Sequence, residues 1–158
     1  MRVAVYPGSF DPITYGHLNI IQRGIKFFDK IVVAILQNRD KKYLFTALER
    51  SQLIKDAIRN IPNVDVDIFE GLLVDYMKKN KIRFILRGLR LFSDFEYESR
   101  LYALNNYLDN EIETVFLVSK EKYLYVSSTI VKEIASFKGD VSKFVPEEVC
   151  KKLKDKFN

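Results

Sequence analysis

Residues 8–17 read Gly8-Ser9-Phe10-Asp11-Pro12-Ile13-Thr14-Tyr15-Gly16-His17, with the apolar run Val3-Ala4-Val5-Tyr6 before them and a helical pattern from Leu18 to Phe28 after them. A strand, a glycine-containing turn and a helix start, in that order, make an arrangement suited to phosphate. The first backbone N–H groups of a helix lack partners inside it, and the aligned peptide dipoles leave about +0.5 charge there, so an anion satisfies both. Gly8 is expected to let the backbone turn tightly beside a ligand, and Gly16 to remove a side chain next to the only histidine, His17. The alternative is purely local: Gly8 and Pro12 punctuate a turn, Asp11 closes an Asx-type bond, and His17 merely begins a helix. The second half of the chain favours the phosphate reading.

Short β-rich runs alternate with longer helical ones, the pattern of an α/β domain with a parallel sheet. Strands are predicted at Arg2–Tyr6, Lys30–Leu36, Val64–Phe69, Phe84–Leu86 and Thr114–Val118. Leu18, Ile21, Ile25 and Phe28 place an apolar stripe on the first helix. Thr46 with Glu49 forms a capping box for a second helix that stops before Pro62. Leu72, Leu73, Tyr76 and Met77 mark a third, and Tyr97, Leu101, Leu104 and Leu108 put one apolar face on a fourth. Ser127 or Ser128 caps a helix ending near Gly139, and Pro146 suits the first turn of the last one. No long Pro/Gly/Ser linker divides residues 1–158, so a single domain is expected.

A doubly wound, Rossmann-like five-stranded sheet in the order 3-2-1-4-5 binds ligands beyond the carboxyl ends of its strands, where the order reverses between strands one and four. The segment after strand one is Gly8–His17, and the segment after strand four is Arg87-Gly88-Leu89-Arg90. Guanidinium groups grip phosphate oxygens in fork geometry, and Gly88 is expected to free the backbone between two of them. The bland alternative is a pair of surface arginines. The other strand ends supply Asp40-Lys41-Lys42, Gly71-Leu72-Leu73 and Tyr123-Leu124-Tyr125-Val126-Ser127-Ser128-Thr129, all on the same rim. Gly-x-Gly-x-x-Gly and Gly-x-x-x-x-Gly-Lys-Ser/Thr are both missing, which disfavours dinucleotide oxidoreductases and P-loop kinases.

The chain's 158 residues suit one domain that buries roughly 70% of the extended surface on folding. A single cysteine, Cys150, excludes an intrachain disulfide and fits a reducing cytoplasm. The opening strand pattern resembles no signal peptide, and no apolar window reaches the eighteen residues of a membrane span, so a soluble cytoplasmic protein is expected without membrane partners. One histidine and one cysteine build no zinc site of the usual spacing, so any metal is expected to arrive with the substrate. The net charge of +5 favours anionic partners. Its basic residues are spread along the chain rather than massed, which points to a phosphorylated small molecule rather than nucleic acid.

Together, Gly8-Ser9-Phe10-Asp11-Pro12 with Thr14-Tyr15-Gly16-His17, Arg87-Gly88-Leu89-Arg90, Asp94-Phe95-Glu96-Tyr97-Glu98, and Val126-Ser127-Ser128-Thr129 followed by Val131-Lys132-Glu133 resemble the bacterial phosphopantetheine adenylyltransferase family. The likeness runs from Arg2 to about residue 150. The first motif alone indicates only the wider nucleotidyltransferase superfamily; the second and third narrow it. The resemblance implies that ATP and 4′-phosphopantetheine give dephospho-coenzyme A and pyrophosphate, with Mg2+ as the counter-ion of ATP, a homohexameric assembly and possible feedback binding of coenzyme A. It implies that Ser9 contacts both substrates. His17, Ser127, Ser128 and Thr129 would hold ATP phosphates, with Phe10, Gly88, Leu89, Arg90, Glu98, Tyr123, Leu124, Tyr125 and Val126 on the same nucleotide side. Lys41, Leu73 and Arg87 would line the phosphopantetheine side. Ser9, Thr129 and Tyr123 stand where many members carry threonine, serine and tryptophan, which keeps two hydroxyls and one aromatic surface.

The chemistry fits a site with one histidine. A phosphate monoester has a second pKa of about 6, so the attacking group is already largely dianionic at neutral pH and needs no general base. Catalysis then reduces to in-line alignment and stabilisation of charge on the equatorial and leaving oxygens, with His17 at the α-phosphate and Lys41 orienting the acceptor. Three rivals are distinguishable. A hydrolase would pair Ser9 with His17 and an acid such as Asp11, although no nucleophile-elbow motif surrounds the serine. A non-catalytic nucleotide sensor would keep the fold, and another adenylyltransferase would use a different acceptor such as nicotinamide mononucleotide.

Overall fold

The computed structural model describes residues 1–38 and 40–158. Five strands, β1 (Val3–Gly8), β2 (Lys30–Leu36), β3 (Val64–Phe69), β4 (Phe84–Leu89) and β5 (Glu113–Val118), form one parallel sheet in the order β3-β2-β1-β4-β5. They alternate with α1 (Tyr15–Gly24), α2 (Ala47–Ile58), α3 (Leu73–Asn80) and α4 (Phe92–Leu108); α5 (Ser128–Ser136) and α6 (Glu147–Phe157) follow β5. The expected Rossmann-like order is therefore observed.

Strand alternation sends side chains to two cores, because successive residues of a strand face opposite sides of the sheet. Ala4 and Tyr6 of β1, with Ile31, Val33 and Ile35 of β2, join apolar residues of α1, α2, α5 and α6 on one face. Val5 and Ala34 turn to the other, where Val74 and Met77 of α3 cover them. At about 25 cal/mol per Å2 of apolar surface buried, these two layers dominate the stability of the domain.

Several boundaries differ from the sequence expectation. β1 and β4 run two and three residues further than predicted, so Gly8, Arg87, Gly88 and Leu89 are strand residues rather than loop residues. Residue 10, not Gly8, makes the sharp turn, with Phe10 at φ 47°. Pro146 occupies the N-cap of α6 rather than its first turn. α4 lies against β4 and β5 but leaves much of its apolar stripe uncovered: Glu98 is the one buried residue of that helix, and Tyr97 and Leu104 are 60% and 59% exposed. By contrast Ser127 caps α5 as anticipated, its Oγ accepting from the Ile130 amide at 3.1 Å.

Candidate functional site

Two clefts open at the carboxyl ends of β1 and β4, where the strand order reverses. Pro7, Gly8, Ser9, Arg87, Tyr97 and Glu98 form a wall common to both. The segments around residues 9 and 88, far apart in sequence, thus meet across one crevice, as the doubly wound reading requires.

The first cleft, of about 400 Å3, lies over the N-termini of α1 and α5. Thr14 caps α1, its Oγ1 accepting from the His17 amide at 3.4 Å. The arrangement is reciprocal: the Thr14 amide donates to Nδ1 of His17 at 3.0 Å, so the imidazole takes the place that a glutamate fills in an ordinary capping box. Burial, helped by the Arg90 and Arg87 guanidiniums, pushes the His17 pKa down to about 3. A neutral ring whose Nδ1 accepts carries its proton on Nε2, and that group is a donor. Phe10 packs edge-on to the ring at 5.1 Å, holding it in place. Tyr6 lies beneath, its hydroxyl pushed up to about 12 by burial.

Arg90 enters this cleft from the end of β4, tied by Nη1 to the Val126 carbonyl at 3.0 Å and by Nε to Asp94 at 3.3 Å. Ser127, Ser128, Thr129, Val126 and Gly88 also line it. The Ser128 hydroxyl donates to the Pro12 carbonyl at 2.7 Å, which joins the start of α5 to the first loop. Gly88 also answers a packing need. A Cβ there would stand 2.8 Å from Cγ1 of Ile20, so the glycine admits α1 to the sheet. A Cβ at Gly8 would meet the Phe10 ring at 3.0 Å.

The second cleft, of about 540 Å3, lies across Ser9 and Arg87 from the first. Its walls are largely apolar, with Leu36, Phe69, Leu72, Leu73, Ile85 and Leu101, and Lys41 stands at its rim. Arg87 forms the divide between the two spaces. Its Nε donates to Glu98 Oε2 at 2.8 Å, its Nη2 pairs with Glu98 Oε1, and its Nη1 donates to the Pro7 carbonyl.

The structure thus brings His17, Phe10, Gly88, Arg90 and residues 126–129 to one cleft, Lys41 and Leu73 to the other, and Ser9, Arg87 and Glu98 to both. Leu89, Tyr123, Leu124 and Tyr125 line neither. Leu89 is buried, Tyr123 packs beside the first core, and Tyr125 is 81% exposed. The hydrolase arrangement is absent. His17 Nδ1 bonds to a backbone amide, and the Asp11 carboxylate is turned away to Leu44, Phe45 and Lys132.

Two residues escaped the sequence reading. Arg50, buried in α2, donates from Nη1 to the Ser9 carbonyl at 2.6 Å and stacks over Tyr43 at 4.0 Å. Asp11, for which only the purely local alternative supplied a bond, has partners 33, 34 and 121 residues away. No local pattern announces either contact, because each is made across the fold.

Chemically, the first cleft offers two helix N-termini, a neutral imidazole donor and an arginine to an extended anion. The second offers an apolar channel with a lysine at its mouth. A group placed at the shared wall would be reached from both sides.

The cytidylyltransferase-like family profile matches residues 5–134. The chain is 53% identical over 157 residues to a phosphopantetheine adenylyltransferase of Caldanaerobacter subterraneus subsp. tengcongensis, covering 99% of this chain and 98% of that one. It is 52% identical over 158 residues to the protein of the same name from Clostridium beijerinckii, covering 100% and 99%. Among solved structures, the nicotinic acid mononucleotide adenylyltransferase of Plasmodium falciparum complexed with NaAD is similar with a TM-score of 0.71 at 16% identity, covering 98% of this chain and 95% of that one. At that identity the last match speaks for the fold.

Proposed function

The chain belongs to the phosphopantetheine adenylyltransferase family, within the cytidylyltransferase-like nucleotidyltransferases, and from that premise we propose how its residues divide the work. The enzyme transfers the adenylyl group of ATP to 4′-phosphopantetheine, giving dephospho-coenzyme A and pyrophosphate. ATP occupies the cleft over α1 and α5, and phosphopantetheine occupies the apolar cleft with its phosphate at the shared wall. The observation that carries this division is the wall itself: Ser9 and Arg87 border both spaces, so the reacting phosphates of the two substrates meet there.

An acceptor phosphate oxygen attacks the α-phosphorus in line, the bond from that phosphorus to the bridging oxygen breaks, and pyrophosphate leaves with the electron pair. The dianionic nucleophile gives up no proton. His17 Nε2–H stabilises charge on the α-phosphate, and Ser127, Ser128 and Thr129, with the N-terminus of α5, hold the leaving phosphates. Ser9, Lys41 and Arg87 position the acceptor phosphate, and Leu73 lies along its arm. Phe10, Gly88, Arg90, Glu98 and Val126 border the nucleotide, while Leu89 and residues 123–125, which line neither cleft, stand outside that space.

Mg2+ enters as the counter-ion of ATP and so as part of the substrate. Among the described residues no three His, Cys, Asp or Glu side chains gather where they could hold a metal ion. The carboxylates lining the first cleft, Asp94 and Glu98, are engaged by Arg90 and Arg87. The residues present do not fit a resident metal centre.

The family resemblance implies a homohexamer in the cytoplasm, and the exposed apolar face of α4, where Phe92 and Tyr107 are 83% and 88% exposed, supports self-association as such. Coenzyme A binds back in the same clefts, since it shares most of its atoms with the product. A nicotinamide mononucleotide acceptor is the alternative, and the apolar walls of the second cleft favour the flexible pantetheine arm over a ribosylated ring. The deciding experiment measures pyrophosphate release from ATP with each acceptor. Release with phosphopantetheine supports the reading; release only with nicotinamide mononucleotide replaces it.

A further inference from the structure

Asp11 joins three segments that the reaction needs in register. Its carboxylate is buried at 2% exposure. Oδ1 accepts the Phe45 amide at 2.9 Å, and Oδ2 accepts both the Leu44 amide at 2.9 Å and the Lys132 ammonium at 2.9 Å. Leu44 and Phe45 end the loop that carries Lys41. Lys132 lies on α5 one turn beyond Ser128 and Thr129. Asp11 itself follows Ser9 and Phe10, which line the clefts.

A buried carboxylate pairs because leaving it unpaired is costly, so three bonds to one group do not by themselves imply a function. What matters is where the three partners lead. Two belong to the acceptor side, one to the helix whose N-terminus faces the ATP phosphates, and the carboxylate sits on the loop between them. The Ser128 to Pro12 bond reinforces the α5 side, and the Arg50 to Ser9 bond the loop itself. Lys132 is 30% exposed, so its head is a surface strut rather than part of the core.

We propose that Asp11 and Lys132 are positioning residues for adenylyl transfer, fixing the distance between the acceptor loop and the N-terminus of α5 so that nucleophile and leaving group stay in line. Neither touches substrate in this arrangement; they act through Lys41 and through Ser127–Thr129. The proposal rests on the division of clefts given above. In-line attack tolerates little misplacement, and a shift of about 1 Å far from the reacting atoms can cost about 10²-fold in rate.

The test is Lys132→Met, which removes the cation while leaving the two amide bonds to Asp11, compared with Lys132→Arg and the wild type. Pyrophosphate release gives kcat, calorimetry gives the affinity for a non-hydrolysable ATP analogue and for phosphopantetheine separately, and thermal melts report folding. The expected result is a kcat lower by about 10–100-fold, each separate affinity within about threefold, and recovery of most of the rate in Lys132→Arg. A lowered melting temperature with wild-type kcat would overturn the proposal by showing a structural role alone. A loss of ATP affinity as large as the loss of rate would overturn it by showing direct phosphate contact. If Lys132→Met fails to fold, Lys132→Gln carries the same comparison. A wild type without turnover would sink the cleft assignment instead, whatever the variants do.

Discussion

The Thr14 amide donates to Nδ1 of His17 at 3.0 Å, and this one bond decides what the only histidine in the chain can do. It commits the ring to the Nε2–H tautomer, while burial and two arginines keep it neutral down to about pH 3. An imidazolium would deliver charge; this ring delivers a fixed hydrogen bond.

The first prediction follows from the pKa. With a single histidine, its proton and nitrogen resonances are unambiguous by NMR, and they should stay constant between pH 8 and about pH 5. The folded value lies below the unfolded one of 6.5, so the unfolded chain holds the extra proton between the two. Stability contributed by neutral His17 is therefore present above pH 6.5 and is lost as pH falls towards 3. A ring titrating near 6.5 in the folded protein would contradict both statements.

His17→Ala removes an oxyanion-type donor and should lower kcat by about 10²–10³ with the fold intact. The rate should also fall on the acid side near pH 6 as the acceptor phosphate takes up its second proton, and that limb should be the same in the variant. Steady-state kinetics across pH check both. Near wild-type turnover, or an acid limb that vanishes with the imidazole, would remove His17 from the role given to it.

Why some of this was legible in sequence and some was not has a physical reason. The parallel sheet follows from continuously apolar, β-branched runs such as Lys30–Leu36 alternating with longer helical segments, a local property, and the first and fourth strand ends meet because the topology leaves few options. Ser127 as a cap is local too. For α4 the helical period reports an apolar face without saying how much of it the sheet covers. At Gly88 the reading from sequence was of a backbone free to approach a phosphate; the packing of its missing side chain against Ile20, made across the fold, could not be read there. Asp11 and Arg50 were invisible, since their bonds span 33 residues or more.

Lys41 stands at the rim of the apolar cleft and does not line the one over the N-termini of α1 and α5. Lys41→Ala should weaken the acceptor alone. A hydrogen bond to a charged group contributes about 1.5–3 kcal/mol, so the KM for phosphopantetheine should rise roughly 10–100-fold while that for ATP stays nearly constant. Varying each substrate at saturation of the other separates the two. An equal rise in both would place the lysine on the triphosphate instead.

Gly88 offers a test of the fold and the site together. An added methyl at this position would stand 2.8 Å from Cγ1 and 3.2 Å from Cδ1 of Ile20, a residue with 1% exposure on the same helix as His17. Ile20 must change rotamer or α1 must shift outward, and forcing a methylene into a packed core costs about 1–3 kcal/mol. Gly88→Ala should therefore lower the denaturation midpoint and, by moving α1 and with it Nε2 of His17, reduce kcat more than either KM. In an Ile20→Ala background, which lacks both crowding carbons, the same substitution should cost far less in stability and in rate. An undiminished cost of both in that background would mean that Gly88 serves the nucleotide through its backbone rather than the helix through its missing side chain.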